Sequence, residues 1–202
     1  MSRLYVGVAA LALSAIIGGT ALYTMLATPR SCGGNAVAGG SAAIGGPFEL
    51  VQPDGQLVTD ADIIDRPALV YFGYTFCPDV CPFDVARNAL AIDILQGQGI
   101  DVRPVFITID PARDTPDVMA QYAADMHPKM VALTGSEEQI KAAAQAYKAY
   151  YAKGSGEGDF YLMDHSTFTY LMLPDTGLAT YFGRTATPEE IAEQTTCLID
   201  AA

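Results

Sequence analysis

A continuous apolar run, ALVYFGY at residues 68–74, leads into two cysteines, Cys77 and Cys81, that are each followed by a proline. Such a run is typical of a strand buried on both faces of a sheet, as in α/β proteins whose helices cover the sheet. Proline disfavours the α conformation in the residue before it, so CPDVC is predicted to be a stiff loop after the strand. Pro82 fits the first position of a helix, which predicts a helix over about 82–96 with Cys81 as its cap residue.

Strand and helix patterns alternate along the rest of the chain. Short apolar or alternating runs predict further strands, which lie within 48–59 on either side of a Pro-Asp-Gly turn and at 102–110, 130–135, 166–173 and 178–183. Capping residues predict helices from Thr115 to about Met126, from Ser136 to about Tyr151 and from Thr187 onwards. Residues 153–159, KGSGEGD, are typical of a loop. This order predicts an α/β fold with a mixed sheet flanked by helices, similar to the order of elements in thioredoxin.

The N-terminal part of the chain contains an uncharged apolar segment at residues 4–26. As a helix it spans about 34 Å at ~1.5 Å per residue, enough for a hydrocarbon core of roughly 30 Å. A cleaved signal peptide is the alternative, although its apolar region usually has only about 7–15 residues. We therefore predict an uncleaved transmembrane anchor within residues 1–30. Arg3 and the α-amino group before the span favour an N-terminus in the cytoplasm.

The next part of the chain, residues 31–46, is rich in Gly, Ala and Ser and carries no charge, which predicts a flexible linker. The folded domain is then residues 47–202. This part contains all 23 acidic residues and nine of the 11 basic ones, a formal charge of −14. Such a surface repels nucleic acid and anionic lipid and fits a cationic partner, metal ions included. Solubility alone is the alternative explanation of the charge.

The spacing of Cys77 and Cys81 allows a structural disulfide, a redox dithiol or a metal site. A disulfide across so small a loop constrains the unfolded chain little, because the entropic gain grows with loop length. A helix N-terminus favours a thiolate and lowers the pKa of a cysteine. A reactive dithiol and a metal site therefore remain as the two interpretations.

A metal site needs a further ligand, and the chain has two histidines. His127 stands in DMHPKM between a helix and a strand, where we expect a surface loop residue and no ligand. His165 directly precedes the strand predicted at 166–173. In a thioredoxin-like order this strand lies near the N-terminus of the first helix, which brings His165 towards the cysteines. Two thiolates and an imidazole suit copper(I), and zinc could use the same set with a fourth position open.

Four sequence blocks resemble the Sco/SenC family, the membrane-anchored copper-binding factors for assembly of cytochrome c oxidase. They are GYTFCPDVCP (73–82), FITIDPARDTP (106–116), HPKMVALTGS (127–136) and DHSTFTYLMLPDTG (164–177). The resemblance implies a thioredoxin-like fold and copper ligands at Cys77, Cys81 and His165. From the apolar segment we expect a single membrane span in the bacterial inner membrane with the domain facing the periplasm, and we expect a monomer.

The function that the resemblance implies is a copper metallochaperone. It would deliver copper, as copper(I) or copper(II), to the dinuclear copper centre of cytochrome c oxidase subunit II, with other periplasmic copper chaperones as possible partners. The alternative is a thiol–disulfide oxidoreductase that reduces the cysteines of that centre or acts in redox signalling. A general oxidoreductase is disfavoured because such enzymes carry a cis-proline before the strand at 166–173, and no proline lies between Pro128 and Pro174. A peroxidase is disfavoured because Tyr74 stands where those enzymes usually have threonine.

The other two cysteines, Cys32 and Cys197, lie outside the motif blocks. Cys197 sits in a predicted helix, where we expect a buried small apolar residue. The even number of cysteines also permits a Cys32–Cys197 disulfide in an oxidising compartment. Phe76, which precedes the first motif cysteine, is an apolar residue at a position that is often polar in the family.

Two methionines and three acids complete the candidates. Met163 and Met172 could act as soft ligands, but core packing is the preferred interpretation. Asp110, Asp114 and Asp164 could fix loops or support a ligand, and Asp164 could orient the neighbouring imidazole. Solvation is the alternative for Asp164.

Overall fold

The structure, a computed structural model, describes residues 18–20, residue 32 and residues 44–202 except 159. Nearly all of the predicted anchor at 1–30 and most of the predicted linker at 31–46 lie outside these residues. Within the part of the chain that is described, no helix has the length and apolar character needed to cross a membrane.

The domain alternates strands and helices before it closes with two hairpins and a helix. In chain order the elements are β1 (Glu49–Val51), β2 (Leu57–Thr59), α1 (Asp60–Ile63), β3 (Ala68–Gly73), α2 (Val80–Gly97), β4 (Arg103–Thr108), α3 (Pro116–Met126), β5 (Val131–Leu133), α4 (Glu137–Ala146), β6 (Tyr151–Glu157), β7 (Phe160–His165), β8 (Thr169–Leu173), β9 (Gly177–Phe182) and α5 (Pro188–Asp200).

Strand β3 is the centre of a five-stranded sheet with the order β5-β4-β3-β8-β9. It pairs in parallel with β4 and antiparallel with β8, which makes the sheet mixed as the sequence predicts. Every residue of β3 is buried. Successive side chains point to opposite faces, so Leu69 packs in one apolar cluster with Ile92 of α2 and Ile191 of α5. Phe72 packs on the other face, where its ring lies 5.3 Å from that of Tyr147. Both faces of the sheet are therefore covered.

Helix α2 begins at Val80, two residues earlier than the prolines suggest. Asp79 is its cap residue, and Cys81 lies in the first helical turn. Pro82 is tolerated there because the first N–H groups of a helix have no partner within the helix. The expectation that Cys81 caps the helix is therefore wrong, although Cys77 does lie in the loop before it.

Residues 153–157 of the segment predicted as a loop form most of strand β6. Helix α4 accordingly ends at Ala146 and not near Tyr151, and Lys148 adopts a positive φ of 53° on the way to the strand. Strand β6 pairs with β7 in a separate two-stranded sheet with an irregular register between Lys153 and Gly156. A β-carbon at Gly156 would lie 2.1 Å from the Phe160 carbonyl oxygen, so the hairpin requires glycine there. The glycines that suggested a loop therefore allow strands β6 and β7 to lie close together.

Cys197 is not a free buried residue, because it forms a disulfide with Cys32. Its neighbour Thr196 donates a hydrogen bond of 3.0 Å to the side-chain oxygen of Gln98 at the end of α2. Cys81 lies 17 residues earlier in the sequence than Gln98, which corresponds to about 25 Å along a helix at ~1.5 Å per residue. The disulfide thus closes the end of the domain opposite to the CPDVC motif.

Breaking this disulfide is expected to destabilise the domain. The bond joins residues 165 positions apart, and a disulfide typically stabilises a fold by about 2–4 kcal/mol, more for long loops. Cys197→Ser should lower the free energy of unfolding in urea by about that amount. Cys32→Ser should have the same effect, since it removes the same bond. A larger loss of unfolding free energy in Cys197→Ser than in Cys32→Ser would show that Cys197 stabilises the domain by packing as well as through the disulfide.

Candidate metal centre

Cys77, Cys81 and His165 converge at the end of β3. One donor atom from each residue lies within 4.8 Å of the donor atoms of the other two. The three come from the loop after β3, the first turn of α2 and the last residue of β7. The structure thus brings together all three candidate ligands that the sequence suggests. Cys81 and His165 are 84 positions apart in the sequence.

The loop that carries Cys77 is fixed by a buried carboxylate. Asp114 is 0% exposed and accepts hydrogen bonds from the backbone N–H and the hydroxyl of Thr75, at 3.0 and 2.5 Å. It also accepts a hydrogen bond from the hydroxyl of Thr108 at the end of β4. Burial raises the pKa of Asp114, an effect that these hydrogen bonds partly offset. Asp114 therefore fixes the loop, one of the roles that its place in the sequence suggests.

The two thiols have different environments. Cys77 is half-buried and Cys81 is fully buried. Burial raises the pKa of Cys77, but hydrogen bonds to its sulfur from the side chain and backbone N–H of Cys81 and the backbone of Asp79 outweigh burial and lower the pKa below its usual value. Burial raises the pKa of Cys81, and its hydrogen bond with Cys77 adds to the rise. Cys77 is consequently the thiol that is more readily ionised.

His165 presents one ring nitrogen to the thiols. Its Nδ1 lies 2.7 Å from the carbonyl oxygen of Ser166. A carbonyl oxygen only accepts, so Nδ1 carries the proton and Nε2 of the neutral ring has a free lone pair. Nε2 lies 3.3 Å from the sulfur of Cys81. A backbone carbonyl therefore fixes the imidazole, and Asp164 is exposed, which corrects the suggestion that Asp164 orients the ring.

The surroundings of His165 keep it neutral. Burial lowers its pKa, and the Ser166 carbonyl and the charges of Asp84 and Asp164 only partly oppose that effect. The rings of Tyr71 and Tyr74 meet the imidazole edge-on, with centroids 6.2 and 6.0 Å away. A neutral imidazole is the form that binds a metal ion.

Two charged residues near the site are not among the candidates that the sequence suggests. Asp84, on α2, is buried and accepts a hydrogen bond of 3.0 Å from the hydroxyl of Tyr71. It also forms an ion pair with Arg87 at 3.4 Å. The guanidinium of Arg113 lies against the rings of Tyr74 and Tyr161. The signal for Asp84 is an acid on the apolar face of α2, whereas the only signal for Arg113 is its place in the block FITIDPARDTP.

The remaining candidates lie outside the cluster. His127 is buried, which corrects the expectation of a surface residue, and its Nδ1 accepts a hydrogen bond of 3.1 Å from the backbone of Lys129. Met172 is buried in the core, and Met163 is partly buried against it, in agreement with the preferred interpretation. Asp110 accepts a hydrogen bond of 2.7 Å from the hydroxyl of Tyr161.

Comparison with known proteins identifies the family. The chain matches the SCO1/SenC family model over residues 36–200. It belongs to that family. Protein SenC of Rhodobacter capsulatus is 53% identical to it over an alignment that covers 80% of this chain and 73% of SenC.

Solved structures of Sco proteins share the fold. The crystal structure of Arabidopsis thaliana ScoI with copper bound has a TM-score of 0.75 and 40% identity and covers 79% of this chain and 100% of that one. The structure of BsSco, described as a Sco-family protein with a disulfide switch, has a TM-score of 0.62 and 25% identity and covers 79% and 96%. These matches confirm the thioredoxin-like fold that the order of elements predicts.

In the metal-free, reduced protein, Cys77 should react with iodoacetamide before Cys81. The lowered pKa of Cys77 places more of it in the thiolate form near neutral pH, so the midpoint of its pH–rate profile should lie below that of an ordinary cysteine. Cys81 is buried and its pKa is raised, so it should react slowly. Mass spectrometry of quenched time points measures both rates.

The control for this experiment is Cys77→Ser, which should remove the fast reaction altogether. Faster modification of Cys81 in the wild-type protein would contradict the assignment of the two thiols.

Proposed function

We propose that this protein binds one copper ion through Cys77, Cys81 and His165 and delivers it to the dinuclear copper centre of cytochrome c oxidase subunit II. The Arabidopsis relative has been solved with copper bound, and BsSco is described as a member of the Sco family of cytochrome c oxidase assembly proteins. Copper binding and oxidase assembly are therefore the setting in which the family works.

The observation that carries the proposal is the composition of the cluster. Two sulfurs and one imidazole nitrogen already lie within 4.8 Å of one another. Thiolates are soft ligands that select copper(I), and imidazole suits copper in both oxidation states. The Nε2 lone pair is directed towards Cys81 by the hydrogen bond that Nδ1 donates to Ser166. A copper ion would thus find three suitable donors that need little rearrangement.

The unequal burial of the ligands suits the release of copper. Cys81 is buried in the first turn of α2, whereas Cys77 is only half-buried. A sulfur ligand from a partner protein could reach the metal from the side of Cys77 and replace the bonds one at a time. This asymmetry fits a protein that transfers a metal ion.

A thiol–disulfide oxidoreductase that reduces the cysteines of the same centre is the second candidate. The lowered pKa of Cys77 favours it, because the thiolate is the attacking species in disulfide exchange. The relative BsSco, as noted above, is described as having a disulfide switch. This activity would require the two cysteines but not His165.

Substitution of His165 separates the two functions. His165→Ala should weaken copper(II) binding most, since imidazole suits that state, while disulfide exchange of the Cys77–Cys81 pair should persist within about tenfold, or roughly 1.4 kcal/mol of barrier. Cys77→Ser should abolish tight copper(I) binding and exchange alike. Copper stoichiometry, exchange with a partner peptide and oxidase copper-centre assembly at limiting copper are the measurements.

The chain offers a matched control for each substitution. His127→Ala removes a buried histidine that lies outside the cluster, and the Cys32→Ser, Cys197→Ser double variant removes both cysteines of the disulfide at the opposite end of the domain. Both should retain stoichiometric copper. Normal assembly by His165→Ala at limiting copper, together with failure of Cys77→Ser, would favour the oxidoreductase. Stoichiometric copper(I) in the Cys77→Ser, Cys81→Ser double variant would show that the ligand assignment is wrong.

We further propose that residues 4–26 anchor the domain to the bacterial inner membrane, with the domain in the periplasm. The uncharged length of this segment supports the proposal. The native protein should therefore retain its N-terminal segment and remain with the membrane after a high-salt wash. A mature N-terminus between residues 27 and 46, found by N-terminal peptide analysis, would show that the segment is a cleaved signal peptide.

A further inference from the structure

The metal centre is assembled from two parts of the fold that are held differently. The cysteines follow β3 and begin α2, which belong to the buried core. His165 ends β7, and within the described residues β7 pairs only with β6, in a sheet separate from the central one. The chain returns to the central sheet at Thr169 of β8, which lies opposite Tyr71 of β3 and four residues after His165. This short link keeps His165 near the thiols, and side-chain contacts between the hairpin and the cysteine loop set the remaining distance.

Arg113, in the loop between β4 and α3, contacts both parts. On the cysteine side its guanidinium carbon lies 4.7 Å from the centre of the Phe76 ring and 5.6 Å from that of Tyr74. On the hairpin side it lies 3.7 Å from the centre of the Tyr161 ring. Its Nη1 also donates a hydrogen bond of 2.9 Å to the backbone carbonyl of Tyr161. Phe76 directly precedes Cys77, and Tyr161 lies four residues before His165 on the same strand.

The arginine is itself held in place. Its side chain is 16% exposed, and its Nε forms an ion pair with Asp110, whose side chain is 5% exposed. The other carboxylate oxygen of Asp110 accepts a hydrogen bond of 2.7 Å from the hydroxyl of Tyr161. The next residue, Asp114, binds Thr75 in the cysteine loop. One short loop, residues 110–114, thus contacts the cysteine loop and the hairpin together.

We infer that Arg113 is a positioning residue that sets the distance between the His165 imidazole and the two thiols. The inference rests on the proposed copper ligation and adds to it a group that does not itself touch the metal. Arginine fits this place because its planar guanidinium stacks on aromatic rings while its N–H groups bind a carboxylate and a carbonyl. A lysine keeps the charge but has no planar face to stack on the rings. Its single ammonium group also lacks the fixed fork of N–H groups that lets arginine bind a carboxylate and a carbonyl at the same time.

The direct test is Arg113→Met, which keeps an apolar chain and removes the guanidinium. Loss of groups that orient a ligand typically reduces metal affinity by about 10–100-fold, and we expect a reduction of copper(II) affinity in that range. Electron paramagnetic resonance of the copper(II) form should show weakened or heterogeneous nitrogen coupling. Arg113→Lys should give an intermediate affinity.

The control is Arg66→Met. It removes an exposed arginine that lies before the start of β3 and pairs with Asp101, and it should change neither the copper(II) affinity nor the nitrogen coupling.

Two measurements without metal separate positioning from general damage to the fold. Reaction of His165 with diethyl pyrocarbonate should be faster in Arg113→Met, because the hairpin moves away from Cys81. Disulfide exchange by Cys77 and Cys81 should stay near the wild-type rate, because α2 and β3 keep the cysteine loop. Loss of exchange together with loss of copper would show a folding defect and overturn the inference.

A second variant tests the hairpin side of the same contact. Tyr161→Leu removes the ring beneath the guanidinium and should lower copper affinity in the same direction as Arg113→Met. Wild-type affinity and nitrogen coupling in both variants would overturn the positioning role. His165→Ala tests the proposed function independently: if it leaves copper binding unchanged, the ligand assignment fails whatever Arg113 does.

Discussion

The buried carboxylate of Asp114 holds the thiol loop against the central sheet, and the rest of the site depends on that attachment. It accepts hydrogen bonds from Thr75 in the loop and from Thr108 at the end of β4. A buried acceptor that loses its donors destabilises a fold by about 1–3 kcal/mol. Movement of Thr75 or Thr108 away from the carboxylate is therefore unfavourable. Because Cys77 lies two residues after Thr75, its backbone is subject to the same constraint. The loop therefore presents its thiol without a bound metal to order it.

The second part of the site is less firmly built into the core. The hairpin that carries His165 forms its own two-stranded sheet, and contacts with aromatic side chains hold it near the thiols. A site made from one rigid part and one attached part can close on a metal ion and still open when a partner protein competes for it. The half-buried sulfur of Cys77 gives such a partner access. The proposed binding and transfer of copper could thus use the same three side chains.

The sequence predicts the central fold and the convergence of the three candidate ligands well, because both depend on strong local or topological signals. The apolar run before Cys77 predicts β3, and the order of elements then brings His165 to the end of that strand. The β6–β7 hairpin is not predicted because its Gly-rich first strand has no alternating apolar pattern and is defined mainly by its pairing with β7. Arg113 escapes prediction for a different reason, since its contact with Tyr161 joins residues 48 positions apart. Contacts of this kind leave no periodic signal in a single sequence.

The central claim is that two sulfurs and one imidazole together bind copper. X-ray absorption at the copper K edge tests it most directly, because the fine structure reports the type and number of neighbouring atoms. The copper(I)-loaded wild-type protein should show two sulfur neighbours and one nitrogen neighbour, with the outer-shell scattering of an imidazole ring. A copper environment of sulfur alone, or of nitrogen and oxygen without two sulfurs, would contradict the account.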